Sequence, residues 1–242
     1  MQKIVMSILI FSLSVAISFS AIGETMFSDD FQSEEVDQDP TRWMNITPDP
    51  PRTTGIIAED PQDAGNLTMK ITALDATNVL VADMEDLPEY IAEWDWMWES
   101  GWQTIAIHTQ ENGDRYHLGV EANTGVWEMW SWNSGAWGGP FVTNPFPQEA
   151  NVWHSFQLIV NQAHIILKTK ERDDTTQFDQ LDPVIEMDGE DTAYTSGKFG
   201  IADGPISYID NVVIYIGSKA VTPVGRLSVT WAKLKAGLPP DH

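Results

Sequence analysis

Eight side chains between Glu93 and Trp132 carry groups that could act together on one ligand. Glu93, Asp95, His108, Arg115, His117, Glu128, Trp130 and Trp132 mix carboxylates, imidazoles, a guanidinium and large aromatics in a single stretch, YIAEWDWMWESGWQTIAIHTQENGDRYHLGVEANTGVWEMWSW. Charged and polar groups of this kind bond hydroxyls, and indole faces suit the apolar faces of sugar rings. The same set also suits proton transfer. His108 or His117, tuned by Glu93, would act as general acid or base, and Arg115 would stabilise negative charge. Glu93, His108, Arg115 and His117 are therefore the catalytic candidates if the chain is an enzyme. A Glu and two His can also bind a transition metal, although adjacent His on a sheet are more often plain neighbours.

Alternation in this stretch predicts four consecutive antiparallel strands, because side chains on a strand point to the two faces in turn. One face is apolar: Trp94, Trp96 and Trp98, then Ile105 and Ile107, then Tyr116, Leu118 and Val120, then Trp127 and Met129. That assigns four of the tryptophans to the core and leaves Trp130 and Trp132 as stacking candidates. Asn112-Gly113 is a strong hairpin signal, since both central residues of that turn need positive φ. Ser100-Gly101 and Asn123-Thr124-Gly125 supply the other two turns. Centring the turns on residues 100/101 and 112/113 pairs Glu93 with His108 and His108 with His117. His117 then lies beside Trp130, or beside Trp132 if the register slips by two.

Composition limits the chain's setting. It has 242 residues, enough for one large all-β domain, and no linker divides it. Lys3, the apolar run IVMSILIFSLSVAISF and the small residues after it have the anatomy of a secretory signal over residues 1–23, cut at Ala21-Ile22-Gly23 or at Ser18-Phe19-Ser20. The run is short for a membrane span and nothing later replaces it. The mature protein is thus expected to be exported, as a periplasmic, cell-surface or extracellular protein. There are no cysteines, which excludes disulfides, thiolate metal sites and a lipid-modified N-terminal Cys. A formal net charge of -23 repels nucleic acid and anionic membranes and serves solubility.

Short strands precede the central stretch at GIIAED, NLTMKITA and TNVLVA, and follow it at VWHSFQLIV, HIILKTKE, GKFGIAD and ISYIDNVVIYIG. Strands of this length and spacing argue for a sandwich or barrel. The loop NSGAWGGPFVTNPFPQEA holds Trp137, Phe141 and Phe146, which either tuck under it or stand out for ligand. In the tail, residues 219–242, Leu227, Trp231, Leu234 and Leu238 recur at helical spacing and predict a short amphipathic helix that caps the sandwich or docks on a partner protein. No serine nucleophile elbow or phosphate loop is present, and no organic cofactor is expected.

Three features together resemble the concanavalin A-like lectin/glucanase superfamily, the jelly-roll group that includes laminin-G-like domains: FSDDF followed by a Trp, the hairpin VWHSFQLIVNQAHIILK, and the closing GKFGIADGPISYIDNVVIY. The resemblance implies an all-β, antiparallel two-sheet β-sandwich over residues 24–218, with glycan bound on a concave sheet. It also implies a structural Ca²⁺ near the join of the first and last strands, where Asp30 and Asp210 are the matching carboxylates. Activity does not follow from it, because lectins, glycosidases, lyases and adhesive modules share the fold. Departures are clear. EWDWMWE offers Glu93 and Asp95, but Glu99 would lie about 20 Å from Glu93 along a regular strand, too far for a retaining glycosidase pair at about 5 Å. The strands AIH and RYHLG echo alginate-lyase patterns loosely, with Arg115 and His117 where a Tyr and a Lys would stand.

The expectation is an exported carbohydrate-binding β-sandwich using Glu93, Asp95, His108, Arg115, His117, Glu128, Trp130 and Trp132. The alternatives are a glycan-active hydrolase or polysaccharide lyase, and an adhesive or assembly module.

Overall fold

The computed structural model describes residues 23–46, 55–72, 79–121, 124–188, 193–202 and 206–217. The signal segment up to Ile22 and the tail with its expected helix lie outside the described residues. In chain order the strands are β1 (Glu24–Asp29), β2 (Trp43–Ile46), β3 (Gly55–Asp60), β4 (Asp63–Ile71), β5 (Val79–Ala82), β6 (Glu89–Ser100) and β7 (Trp102–Thr109). They continue with β8 (Arg115–Glu121), β9 (Val126–Asn133), β10 (Ala136–Pro145), β11 (His154–Asn161), β12 (His164–Glu171), β13 (Ile185–Asp188), β14 (Lys198–Ala202) and β15 (Ile206–Ile216). A single 3₁₀ turn at Phe178–Gln180 is the one helical element among the described residues.

These strands form two antiparallel sheets. The first runs β13-β12-β11-β6-β15-β4-β3, with β1 also on β15; the second runs β10-β9-β8-β7-β14-β5-β2. The architecture is a two-sheet all-β sandwich of the jelly-roll kind.

The inner faces match the alternation read from the sequence. Trp94, Trp96, Trp98, Ile105, Ile107, Tyr116, Leu118, Val120, Trp127 and Met129 are each at most 2% exposed. Trp94 stacks on Phe156 from β11, with ring centroids 5.2 Å apart, and Trp127 meets the same ring from the opposite sheet at 5.9 Å. Aromatic payload of this size dominates core energetics, and truncating one such ring to Ala costs about 3–5 kcal/mol.

The expected four-strand meander is corrected at its first turn. β6 does not pair with β7. It lies between β11 and β15 in the first sheet, with Glu93 opposite Gln157 on one side and Val213 on the other. At Ser100-Gly101, where Gly101 takes φ 82°, the chain crosses to the second sheet instead of folding back in a hairpin. A strand that keeps its apolar side chains pointed at a shared core has the same alternation in either sheet, so local pattern does not separate the two arrangements.

Candidate functional site

On β8 and β9 the expected register holds: Arg115 pairs with Trp132, His117 with Trp130 and Gly119 with Glu128. All these side chains share the outward face of the second sheet. β10 joins them with Trp137 opposite Trp132 and Thr143 opposite Glu128. The strand slips register between Gly138 and Val142, and its aromatics Trp137 and Phe141 are 44% and 41% exposed.

Trp137 tucks over its neighbours while keeping an open surface. Its ring centroid is 4.7 Å from His117, 4.7 Å from Trp132 and 6.5 Å from Trp130, each contact edge-on. Arg115 and His117 form the floor below. Arg115 is fully buried, donates Nη1 to the Gly113 carbonyl at 2.7 Å, and sets its guanidinium carbon 5.8 Å from the Trp132 ring centroid. His117 is 6% exposed, and its Nδ1 is buried with no hydrogen-bond partner among the described residues. Burial first, and the charge of Arg115 second, hold the His117 imidazole well below the usual histidine range, so it is neutral. Glu128 accepts the Trp130 indole N–H at 3.1 Å and is partly exposed. Farther along the face the Trp102 ring lies over Gly119, where an added Cβ would come within 3.5 Å of it.

The accessible surface is thus made of Trp130, Trp132, Trp137 and Glu128, with Arg115 and His117 beneath. Trp102 and Trp137 were not among the expected site residues. Trp102 shares parity with Thr104, which would have found it, whereas Trp137 needed the β9–β10 pairing.

The remaining expected residues do not converge with these. His108 stands where β7 bulges, with φ 52° and a register shift against β14 between Lys198 and Gly200. β7 and β8 pair through Ala106–His117 and Ile107–Tyr116, two residues off the expected register, so His108 does not face His117. Its buried ring meets Tyr90 edge-on at 6.0 Å, and Nε2 lies 2.8 Å from the Gln162 carbonyl. Gly197 makes room for the bulge, since a Cβ there would fall 2.4 Å from the His108 carbonyl carbon.

Glu93 and Asp95 are on the outer face of the other sheet. Glu93 accepts bonds from Gln157 Nε2 at 2.6 Å and the Tyr215 hydroxyl at 2.9 Å. Asp95 accepts bonds from the Ser155 hydroxyl at 2.5 Å and Asn211 Nδ2 at 2.9 Å. The row Glu93, His108, His117, Trp130 therefore does not form, and the quartet Glu93, His108, Arg115 and His117 is not assembled.

Asp210 pairs with Asp95 across β15 and β6 and is 3% exposed. It accepts bonds from Asn66 Nδ2 at 3.0 Å and the Asn211 backbone N–H at 2.7 Å. Burial, with Asp95 beside it, pushes its carboxyl up to about 7. Asp30 is exposed, and its side chain accepts the Gln32 backbone N–H at 3.2 Å. Its carbonyl is more telling. The Asp30 carbonyl, Asn66 Oδ1 and the Leu67 carbonyl lie 2.8, 3.0 and 2.9 Å from Gln32 Nε2. An amide nitrogen has two protons for these three acceptors, so at least one of these bonds is shared. Converging hard oxygens are what Ca²⁺ takes, and turning the Gln32 amide would add a fourth. Among the described residues no three His, Asp or Glu side chains form a metal cluster, so carbonyl and amide oxygens would have to dominate such a site.

No family model matches the chain, and no curated protein is similar to it in sequence. Its fold is shared with solved structures. Carbohydrate-binding module CBM66 from Bacillus subtilis superposes with a TM-score of 0.55 at 12% identity, over 75% of this chain and 100% of that one. A xylan β-1,4-xylosidase from Bacillus halodurans C-125 gives 0.53 at 12% identity, over 78% of this chain but 39% of the enzyme. A Bacillus subtilis protein of unknown function with a galectin-like fold gives 0.50 at 14% identity, over 80% and 96%. At these identities the likeness shows the fold alone, a two-sheet antiparallel β-sandwich.

Proposed function

We propose that the chain is an exported carbohydrate-binding β-sandwich of the concanavalin A-like type, with its glycan surface on the outer face of the second sheet. The observation that carries this reading is the gathering of Trp130, Trp132 and Trp137 on one rigid sheet face, with Trp137 44% exposed. Indole surface held open on a strand stacks on sugar rings with little ordering cost. Glu128 accepts hydroxyls at the rim, and Trp102 extends the face toward a longer chain. The fold's likeness to a carbohydrate-binding module supports the same reading. Arg115 and His117, both buried, position the indoles and carry no chemistry.

Affinity electrophoresis in gels containing a panel of polysaccharides tests this. Retardation by one of them, lost in Trp130→Ala and Trp132→Ala while circular dichroism stays native, is the expected result. Equal retardation of native and substituted proteins would place the ligand elsewhere.

The structural Ca²⁺ belongs to the same proposal. The Asp30 carbonyl, Asn66 Oδ1, the Leu67 carbonyl and a turned Gln32 amide would hold it, fixing the N-terminal segment to β4. Asp210 would act through Asn66 and not as a ligand.

A further inference from the structure

The aromatic rings on the outer face of β8 to β10 do not make a flat platform. Trp137 stands at 65° to Trp132 and at 78° to Trp130, so the three indoles share no common plane. Another aromatic rises from the same edge strand. Val142, opposite Met129, packs on the core, so its neighbour Phe141 points to the outward face, where it is 41% exposed.

Between Trp137 and Phe141 the register of β10 shifts, and Gly139 within that bulge takes φ 115°. A Cβ on Gly139 would fall 3.3 Å from Trp130 Cα and 3.2 Å from the Met129 carbonyl oxygen. The bulge thus holds its backbone against β9 and sets Trp137 and Phe141 on either side of it as a wall along the open edge. Trp130 and Trp132 are the floor.

Charge on these strands has one accessible sign. From Trp102 to Pro145, Arg115 is the one Lys or Arg, against Glu111, Asp114, Glu121 and Glu128. Arg115 is fully buried and gives Nη1 to the Gly113 carbonyl. His117 is buried and neutral. Among the described residues of β7 to β10, therefore, no positive side chain reaches the surface, whereas Glu121 and Glu128 are both partly exposed. Glu128 keeps acceptor capacity beyond the Trp130 N–H that it takes. Hydroxyls can donate to it, but a carboxylate or sulfate would meet like charge with no cation in reach.

Resting on that face as the glycan surface, we infer that its ligand is an uncharged polysaccharide taken as a single soluble chain, and that Phe141 is a further binding residue. One pyranose stacks on the floor while the next leans on the wall, as a chain free to turn between units can do. A crystalline glycan surface is flat and rigid, so the wall would hold it off the Trp130 and Trp132 rings. A uronate or sulfated chain is refused by charge.

Affinity electrophoresis with hydroxyethylcellulose, xylan and laminarin against polygalacturonate and alginate tests this, alongside sedimentation with microcrystalline cellulose. At roughly 0.15 M NaCl, repulsion beyond about 8 Å is screened, so refusal of an acidic chain reports the face and not the net charge. At least one neutral soluble chain is expected to retard the protein, and neither acidic chain to do so. Crystalline cellulose is expected to bind at least about ten-fold more weakly than the soluble chain. Phe141→Ala, with native circular dichroism, is expected to weaken soluble-chain binding about five-fold. Retardation by either acidic chain, crystalline cellulose bound as tightly as the soluble chain, or unchanged binding in Phe141→Ala would each overturn the inference and leave the glycan face standing. No retardation by any polymer, or retardation that survives both Trp130→Ala and Trp132→Ala, would overturn the face itself and the inference with it.

Discussion

The rings of His117 and Trp137 meet edge-on with centroids 4.7 Å apart, although β9 lies between their strands. The indole closes over the imidazole, which is why His117 is buried while Trp137 keeps an open surface. Removing the indole should uncover the imidazole. In Trp137→Ala the His117 pKa is expected to rise toward the ordinary histidine value, read as an NMR titration of its ring proton, with stability changed by less than about 1 kcal/mol. Polysaccharide affinity should fall at least about ten-fold, because stacking area is lost. An unmoved His117 titration would mean that another group covers it.

Asp210 should make stability depend on pH in a direction opposite to ordinary surface acids. Its carboxyl titrates at about 7 when folded against an ordinary value of 3.8, so the folded state holds the proton more tightly. Stability from this group is fully present below pH 3.8 and is lost as pH rises to about 7, by at most about 4 kcal/mol. Buried His108, His117 and His154 are lowered and act the other way below their usual range, losing stability as pH falls. They cancel in a comparison with Asp210→Asn. Urea unfolding from pH 4 to pH 8 should show wild type losing ground steadily to that variant; parallel curves would exclude a buried titrating Asp210.

Calcium should raise the melting temperature through the oxygens gathered around the Gln32 amide. Thermal unfolding with 1 mM CaCl₂ (a concentration of roughly a hundred Kd for a site of moderate affinity) should stabilise by about 2.7 kcal/mol over EDTA. Asn66→Ala removes one oxygen ligand and should abolish the shift. Identical melting curves with and without EDTA would remove calcium from the account.

Gly197→Ala should be among the most damaging single methyl additions. φ is 152° there, and the new Cβ would collide with the His108 backbone at 2.4 Å. A loss of about 3 kcal/mol or more in chemical denaturation is expected, with the bulge in β7 disturbed. A cost under about 1 kcal/mol would show that the His108 bulge relaxes freely.

Much of this molecule was legible in its side-chain alternation. Trp94, Trp96 and Trp98 point inward because every second residue of β6 must, and the same rule placed Trp127 and Met129 inside. The β8–β9 register was also legible, since a short local turn connects the strands and fixes which residues face each other. His117 beside Trp130 follows from that alone.

The partners of β6 were decided only by the tertiary structure. A strand end such as Ser100-Gly101 can fold back or cross over, and both choices keep the tryptophans on the core. The crossing carried Glu93 and Asp95 to the far sheet, where they meet Gln157, Tyr215, Ser155 and Asn211, residues more than fifty positions away. The His108 bulge was equally nonlocal, because it depends on the backbone of Gly197. Sequence by itself determined an all-β chain with a tryptophan-rich core and the local pairing of β8 with β9. Contacts between distant strands, which no local periodicity encodes, decided which of the candidate residues share a face.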